Sequence, residues 1–190
     1  MDFFPLFRSF YTFYSGIFSP EKIVETAKKC GINSPVLADR DGIYGAIKFY
    51  KKAKESKLNP LIGAEIAHTT KDCSIFLVAK NIEGYSSIAK LITRRKLHTS
   101  EFDLEKETAL ECQSENLFAL CSNPETIYLL LKNGAPKNSV FIRFSGSEKD
   151  DENGFKSSSI FDLRRVFAPL LACEKATDFL THKILKAVKH

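Results

Sequence analysis

The chain has 190 residues, of which 44% are hydrophobic and 27% charged. This is the composition of a single folded domain with its own core, and it excludes a disordered chain. A net charge of +5 permits contact with a polyanion without demanding one. Apolar runs of only a few residues fall far short of the roughly 20 that a membrane span needs, and Met1-Asp2 opens no secretory leader; the expectation is a cytoplasmic protein with no membrane partner.

In chain order, Pro5 to Phe10 reads as the first apolar run. Ser19-Pro20-Glu21-Lys22 starts a helix, with Ser19 as N-cap and Pro20 in its first turn. Ile23, Val24, Ala27 and Cys30 share its apolar face, and Gly31 stops it. Pro35 to Ala38 is a short buried strand. The next helix, from Tyr44 to about Ser56, is expected to bury Ile43, Ala46, Ile47, Tyr50 and Ala53 and to turn Lys48, Lys51, Lys52 and Glu55 outward. Strands follow at Leu61–Ile66 and Ser74–Ala79. A third helix carries Tyr85, Ile88, Ala89 and Ile92 on one face and ends in Arg94-Arg95-Lys96, charges suited to a helix C-terminus.

The second half continues with a strand at Leu117–Cys121, a helix at Pro124–Lys132 closed by Asn133-Gly134, and a strand at Val140–Phe144. Polar, serine-rich Gly146–Ser159 reads as an exposed loop. Ile160–Phe167 is expected to be helical, Leu170–Cys173 a strand, and Ala176–Val188 a last helix. Alternation of strands and helices implies a parallel sheet, doubly wound or closed, and about seven strand candidates favour closure. The five cysteines, an odd number without a C-x-x-C spacing, read as small buried hydrophobes.

Three stretches end in polar residues where a strand would stop: Ser9-Phe10-Tyr11-Thr12-Phe13-Tyr14-Ser15, Ala38-Asp39-Arg40-Asp41-Gly42-Ile43-Tyr44-Gly45-Ala46 and Pro60-Leu61-Ile62-Gly63-Ala64-Glu65. They resemble the PHP domain (polymerase and histidinol phosphatase family). More narrowly, they look like the N-terminal PHP domain of bacterial C-family DNA polymerases, the alpha subunit of DNA polymerase III and its error-prone relatives. The family's opening motif is His-x-His-Thr-x-Tyr-Ser, and its second is Thr-Asp-His before an aromatic-Gly-Ala turn. The likeness runs on through Phe76–Tyr85 and Leu91–Arg95, weakens from Phe102, and returns in Leu171–Cys173 and Ile184–Ala187. It implies an α/β fold, a distorted TIM-like (β/α)7 barrel of PHP type, with residues 1–190 as one domain, the N-terminal part or a fragment of a larger polymerase.

The resemblance also implies two or three divalent ions at the C-terminal ends of the strands, where a β/α barrel keeps its chemistry. Carried over position by position, only Asp39 and Glu65 keep a ligand type. Ser9 and Tyr11 stand where the paired histidines would be, Arg40 replaces a third and Ser74 a fourth. Two carboxylates do not hold a zinc or manganese cluster, and a dication about 4 Å from Arg40 would meet a repulsion of roughly 8 kcal/mol at an effective dielectric near 20. The expectation is therefore no catalytic residue, no metal and no cofactor in this chain, Zn²⁺ or Mn²⁺ entering only if the vestigial site is active. Arg40 is expected to pair with Glu65 or Asp39.

The function implied is a catalytically inactive PHP domain of a DNA polymerase III alpha-type subunit, structural or docking in role, in replication or translesion synthesis. Its partners would be the polymerase core, DNA through the parent protein, and replisome components. The alternative is a stand-alone metal-dependent phosphoesterase or 3'-5' exonuclease of the same family. On the residues alone, Asp39-Arg40-Asp41-Gly42 also reads as a plain strand-to-helix turn and His68 as a loop histidine. Arg94-Arg95-Lys96 and Lys51-Lys52-x-Lys54 read as solvated faces, since neither is interleaved with exposed aromatics.

Overall fold

Short apolar runs separated by well-capped helices leave this chain little choice but a strand–helix alternation. A computed structural model describes residues 2–13, 15–98 and 101–172. Two short strands, β1 (Asp2–Phe3) and β2 (Leu6–Phe7), are followed by α1 (Pro20–Lys29), β3 (Val36–Arg40), α2 (Ala46–Glu55), β4 (Leu61–Ala67) and β5 (Ser74–Ala79). Then come α3 (Ile82–Leu97), α4 (Leu104–Cys112), β6 (Leu117–Cys121), α5 (Pro124–Lys132), a 3-10 turn (Lys137–Ser139), β7 (Val140–Phe144), α6 (Glu148–Ile160), β8 (Arg164–Phe167) and β9 (Leu170–Leu171). Side-chain oxygens of Ser19, Asn81, Asp103, Asn123 and Ser147 cap the N-termini of α1, α3, α4, α5 and α6.

The sheet order is β1-β8-β7-β6-β5-β4-β3-β2-β9. Its two ends are one seam. Asp2 pairs with Val166 and Phe3 with Phe167, then Leu6 with Leu170 and Phe7 with Leu171, all parallel and in the same register. Backbone bonds from Phe4 to Phe167 (2.8 Å), Leu6 to Pro169 (2.9 Å) and Arg8 to Leu171 (2.9 Å) carry the pairing across the kinks. The segments 2–7 and 164–171 thus behave as one strand each, and the sheet closes as a seven-stranded, distorted TIM-like barrel.

The expectation of a wholly parallel sheet fails at one strand. β5 runs antiparallel to both β4 and β6. Only six residues separate the end of β4 from the start of β5, too few for the crossover a parallel pair needs but ample for a hairpin, which His68 N donating to Cys73 O closes at 2.9 Å.

Period-two alternation sorts the strand residues into two layers. Leu6, Val36, Ala38, Phe76, Val78, Leu120 and Val166 pack together without any helical residue and fill the barrel. Their neighbours Phe7, Leu37, Ala64, Ile66, Ile75 and Leu77 face outward, where they meet Ile23, Val24 and Phe49 of α1 and α2 or Ile88, Leu91 and Ala109 of α3 and α4.

Four element expectations are corrected. Gly146–Ser159 is not a loop but mostly α6, and Ile160–Phe167 is not a helix but leads into β8, held between β1 and β7. In α2 the buried stripe is Ala46, Phe49 and Ala53, while Ile47 and Tyr50 are exposed; one Phe flanked by alanines fills the space against the sheet. Cys30 is the exposed C-cap of α1, whereas Cys112 and Cys121 are buried as expected. The expected last helix and Cys173 lie outside the described residues.

A candidate site at the barrel mouth

The strand ends bring Arg8, Ser9, Asp39, Arg40, Glu65 and Arg143 to one end of the barrel, and β5, running the other way, delivers Ser74 there with its first residue. Alternation then divides them. Glu65 has the parity of Leu61 and points into the barrel, as Arg8 does after Leu6 and Arg143 after Phe141. Asp39 has the parity of Leu37 and turns toward the helices. The two retained acids do not share a face.

Glu65 is fully engaged. The Arg8 guanidinium donates from Nη2 to its Oε2 in an ion pair whose side chains are 8% and 7% exposed. Ser74 Oγ donates to Oε1 at 2.8 Å, and Arg8 Nη1 is steadied by Ser15 Oγ at 2.6 Å. Beside them the buried Arg143 donates from Nε to Ala168 O (2.9 Å) and from Nη1 to Asp150 (2.9 Å), with its guanidinium 4.4 Å from the Phe76 ring. Burial pulls the Arg143 pKa below its ordinary value, against the upward pull of Asp150. Glu65, Ser74, Arg143 and Asp150 border a cleft of about 320 Å³ that also takes in Ser122 and Ser145.

Asp39 is equally engaged, on the outer side of the strand. Its Oδ1 accepts from Ser9 N (2.7 Å) and Thr12 Oγ1 (3.0 Å), and its Oδ2 accepts from Ser9 Oγ (2.7 Å). Burial raises its pKa above the usual aspartate range, outweighing the lowering by those three bonds and by the Arg8 charge. Gly45 completes the fit: a Cβ there would stand 3.0 Å from Tyr11 Cδ2, 3.3 Å from Ser9 Oγ and 3.4 Å from Asp39 Oδ2. Asp39 is in effect the clasp that fixes the Ser9–Thr12 turn to β3.

Arg40 does not take the role the sequence suggested. It lies opposite Glu65 in register, yet it is exposed and pairs with neither Glu65 nor Asp39. Its backbone N–H donates to Thr12 Oγ1 at 3.0 Å, and its charge acts on Asp41 and Asp72. Arg8 is the residue sequence reasoning missed, although Leu6 and Arg8 at i and i+2 already put its side chain inside the barrel. Tyr11 is half-buried against Phe10, with ring centroids 4.6 Å apart.

His68 sits elsewhere. Its Nδ1 accepts from Thr70 N and Lys71 N (both 3.1 Å), and its Nε2 is 3.8 Å from Glu105 in a second cleft of about 410 Å³. Arg94 and Arg95 are not a solvated face: Arg94 bonds Glu107 at 2.7 Å, and Arg95 reaches Asp41 at 3.3 Å and the carbonyl of Ala67.

The residues present do not fit a metal cluster. The oxygens of Glu65 and Asp39 are taken by protein donors, the two acids face opposite sides of the sheet, and two guanidiniums occupy the mouth. Among the described residues no three His, Cys, Asp or Glu side chains gather at metal-binding spacing.

A closed α/β barrel with polar groups collected at one end defines the class of TIM-like barrels that host their chemistry at the strand ends. The chain belongs to the PHP domain family, whose model matches residues 7–140. It is 37% identical over 93 residues, 49% of its length, to an error-prone DNA polymerase of Corynebacterium diphtheriae. It is 35% identical over 97 residues to the DNA polymerase III subunit alpha of Borreliella burgdorferi. The matches cover 9% and 8% of those two proteins, so this chain corresponds to a small part of each. Among solved structures, an amidohydrolase from Chromobacterium violaceum superposes with a TM-score of 0.62 at 10% identity, over 90% of this chain and 88% of that one, and shares the fold. Among the described residues no helix is long and apolar enough to cross a membrane.

Proposed function

We propose that this chain is a PHP domain without a hydrolytic centre, acting as a structural and docking domain of a C-family DNA polymerase in the cytoplasm. The observation that carries this reading is the buried Arg8–Glu65 pair: a fixed guanidinium fills the acid where the family's chemistry would place a metal ion. A dication entering there would have to displace Arg8, leave that cation buried, and face Arg143 as well. Metal hydroxide formation and phosphate clamping both need an open coordination site, and neither acid offers one. Kinship with replicative and error-prone polymerases supports the polymerase setting, in which nucleotidyl transfer is carried out beyond these residues.

Metal analysis of the purified chain, with turnover of a chromogenic phosphomonoester and of single-stranded DNA in Mn²⁺, tests the reading. The expected result is substoichiometric zinc and manganese and no hydrolysis above buffer. Stoichiometric metal, or turnover abolished by Glu65→Gln, would overturn it in favour of a metal-dependent phosphoesterase. Retention of this chain by a polymerase core of the same family in a pull-down tests the docking role.

A further inference from the structure

The lysines of α2, expected from the sequence to form a solvated face without aromatics, are accompanied by exposed Tyr44 and Tyr50. With Ala46, Phe49 and Ala53 turned to the sheet, 100° per residue gathers Tyr50, Lys54, Ile47 and Lys51 along one flank of the helix, running from beside the buried stripe outward, with Tyr44 just ahead of the helix. Tyr44 is 65% exposed, Ile47 65% and Tyr50 45%. Cations border the rings: Lys96 Nζ donates to the Tyr44 hydroxyl at 2.7 Å and lies 4.9 Å from the ring centroid, and Lys54 Nζ is 5.6 Å from the Tyr50 centroid. The Tyr44 ring is braced from beneath, since a Cβ on Gly42 would come within 2.8 Å of it. At the helix N-terminus Tyr11 approaches Gly45 and packs against Phe10, which is 41% exposed.

We propose that this aromatic and lysine strip along α2 is a binding surface for single-stranded nucleic acid, with bases stacked on Tyr44 and Tyr50 and phosphates against Lys51, Lys54 and Lys96. Charge selects the partner: α2 carries four lysines and one glutamate, and among the described residues Lys51 and Lys54 form no ion pair. Shape selects it further. The strip borders neither of the two clefts described above, and its two tyrosines stand open to solvent, 65% and 45% exposed. Stacking platforms interleaved with cations suit a flexible strand whose every base has a π-face. Duplex DNA keeps its bases stacked internally and cannot use the rings.

Fluorescence anisotropy of labelled oligothymidylate with the full chain, in EDTA, tests this independently of the metal-free reading. Saturable binding is expected, with the logarithm of affinity falling as the logarithm of salt rises. Tyr44→Ala and Tyr50→Ala should each weaken it by about tenfold, and Tyr44→Trp should preserve it. Lys51→Gln should flatten the salt slope by about 0.7. Circular dichroism checks that each variant remains folded, which the exposure of these positions favours. Absence of binding, indifference to both tyrosine substitutions, equal affinity for a duplex of the same length, or equal displacement by polyglutamate would each overturn the proposal. The last outcome would mark the strip as a site for acidic protein segments.

Discussion

Glu65 and Arg8 show how much a single pair of side chains decides. Each is buried, and each satisfies a charge that would otherwise be stranded inside the barrel. Breaking such a pair from one side costs roughly 3–5 kcal/mol, whereas replacing both partners by apolar groups is often close to neutral. Arg8→Leu is therefore expected to lower unfolding free energy by about 3 kcal/mol or more, and Arg8→Leu with Glu65→Leu to recover most of it, as read from urea unfolding. A double variant no more stable than Arg8→Leu would show that the two side chains are not coupled. The family likeness singles out Asp39, Glu65, Ser9, Tyr11, Arg40 and Ser74 by their place in the motif. Their grouping was not, because motif spacing does not reveal which face of a strand a residue takes. Counting in twos from Leu37 and Leu61 separates the two acids, and counting in twos from Leu6 finds Arg8.

Among the elements, α6 is the one whose sequence hides it. Glu148, Asp150 and Asp151 suit a helix N-terminus and Ser147 caps it, yet its buried positions are Gly154 and Ser157. With no apolar stripe, periodicity has nothing to register, and serines, Asn153 and Gly154 read as a loop. What docks this helix is closeness: Ser157 Oγ donates to Ser122 O at 2.7 Å, and a Cβ on Gly154 would meet Phe144 at 2.9 Å and the Arg143 carbonyl at 3.2 Å. A glycine in an exposed helix gains roughly 0.5–1 kcal/mol on becoming alanine. Here Gly154→Ala is expected to destabilise instead, measured by chemical denaturation; a gain would mean that the helix rides further from β7. By contrast α1 and α5, with Pro in the first turn after a capping residue, were readable almost to the residue.

At the scale of the whole molecule, about seven strands and a closed sheet were legible from alternation and family likeness, while the reversal of β5 and the seam were not. Neither leaves a mark in local periodicity, because both are settled by connection length and by pairing across the full chain. The seam is also the weak line of the barrel. A chain ending at Leu163 loses the partner of both β1 and one edge of β2, and uncovers Leu6 and Phe7, which are 0% exposed in the intact fold. It is expected to bind a hydrophobic dye and to lose its cooperative melt, whereas full retention of the melt would show that the remaining strands close without the seam.

The same seam carries a consequence for biosynthesis. The segment 2–7 finds its second neighbour only in residues 164–171, so a nascent chain bears an open, apolar edge until those residues have emerged. Pairings that distant in sequence form slowly, and unpaired edges invite association with other chains. Emergence of residues 164–171 is therefore the moment from which this barrel can close against its neighbours.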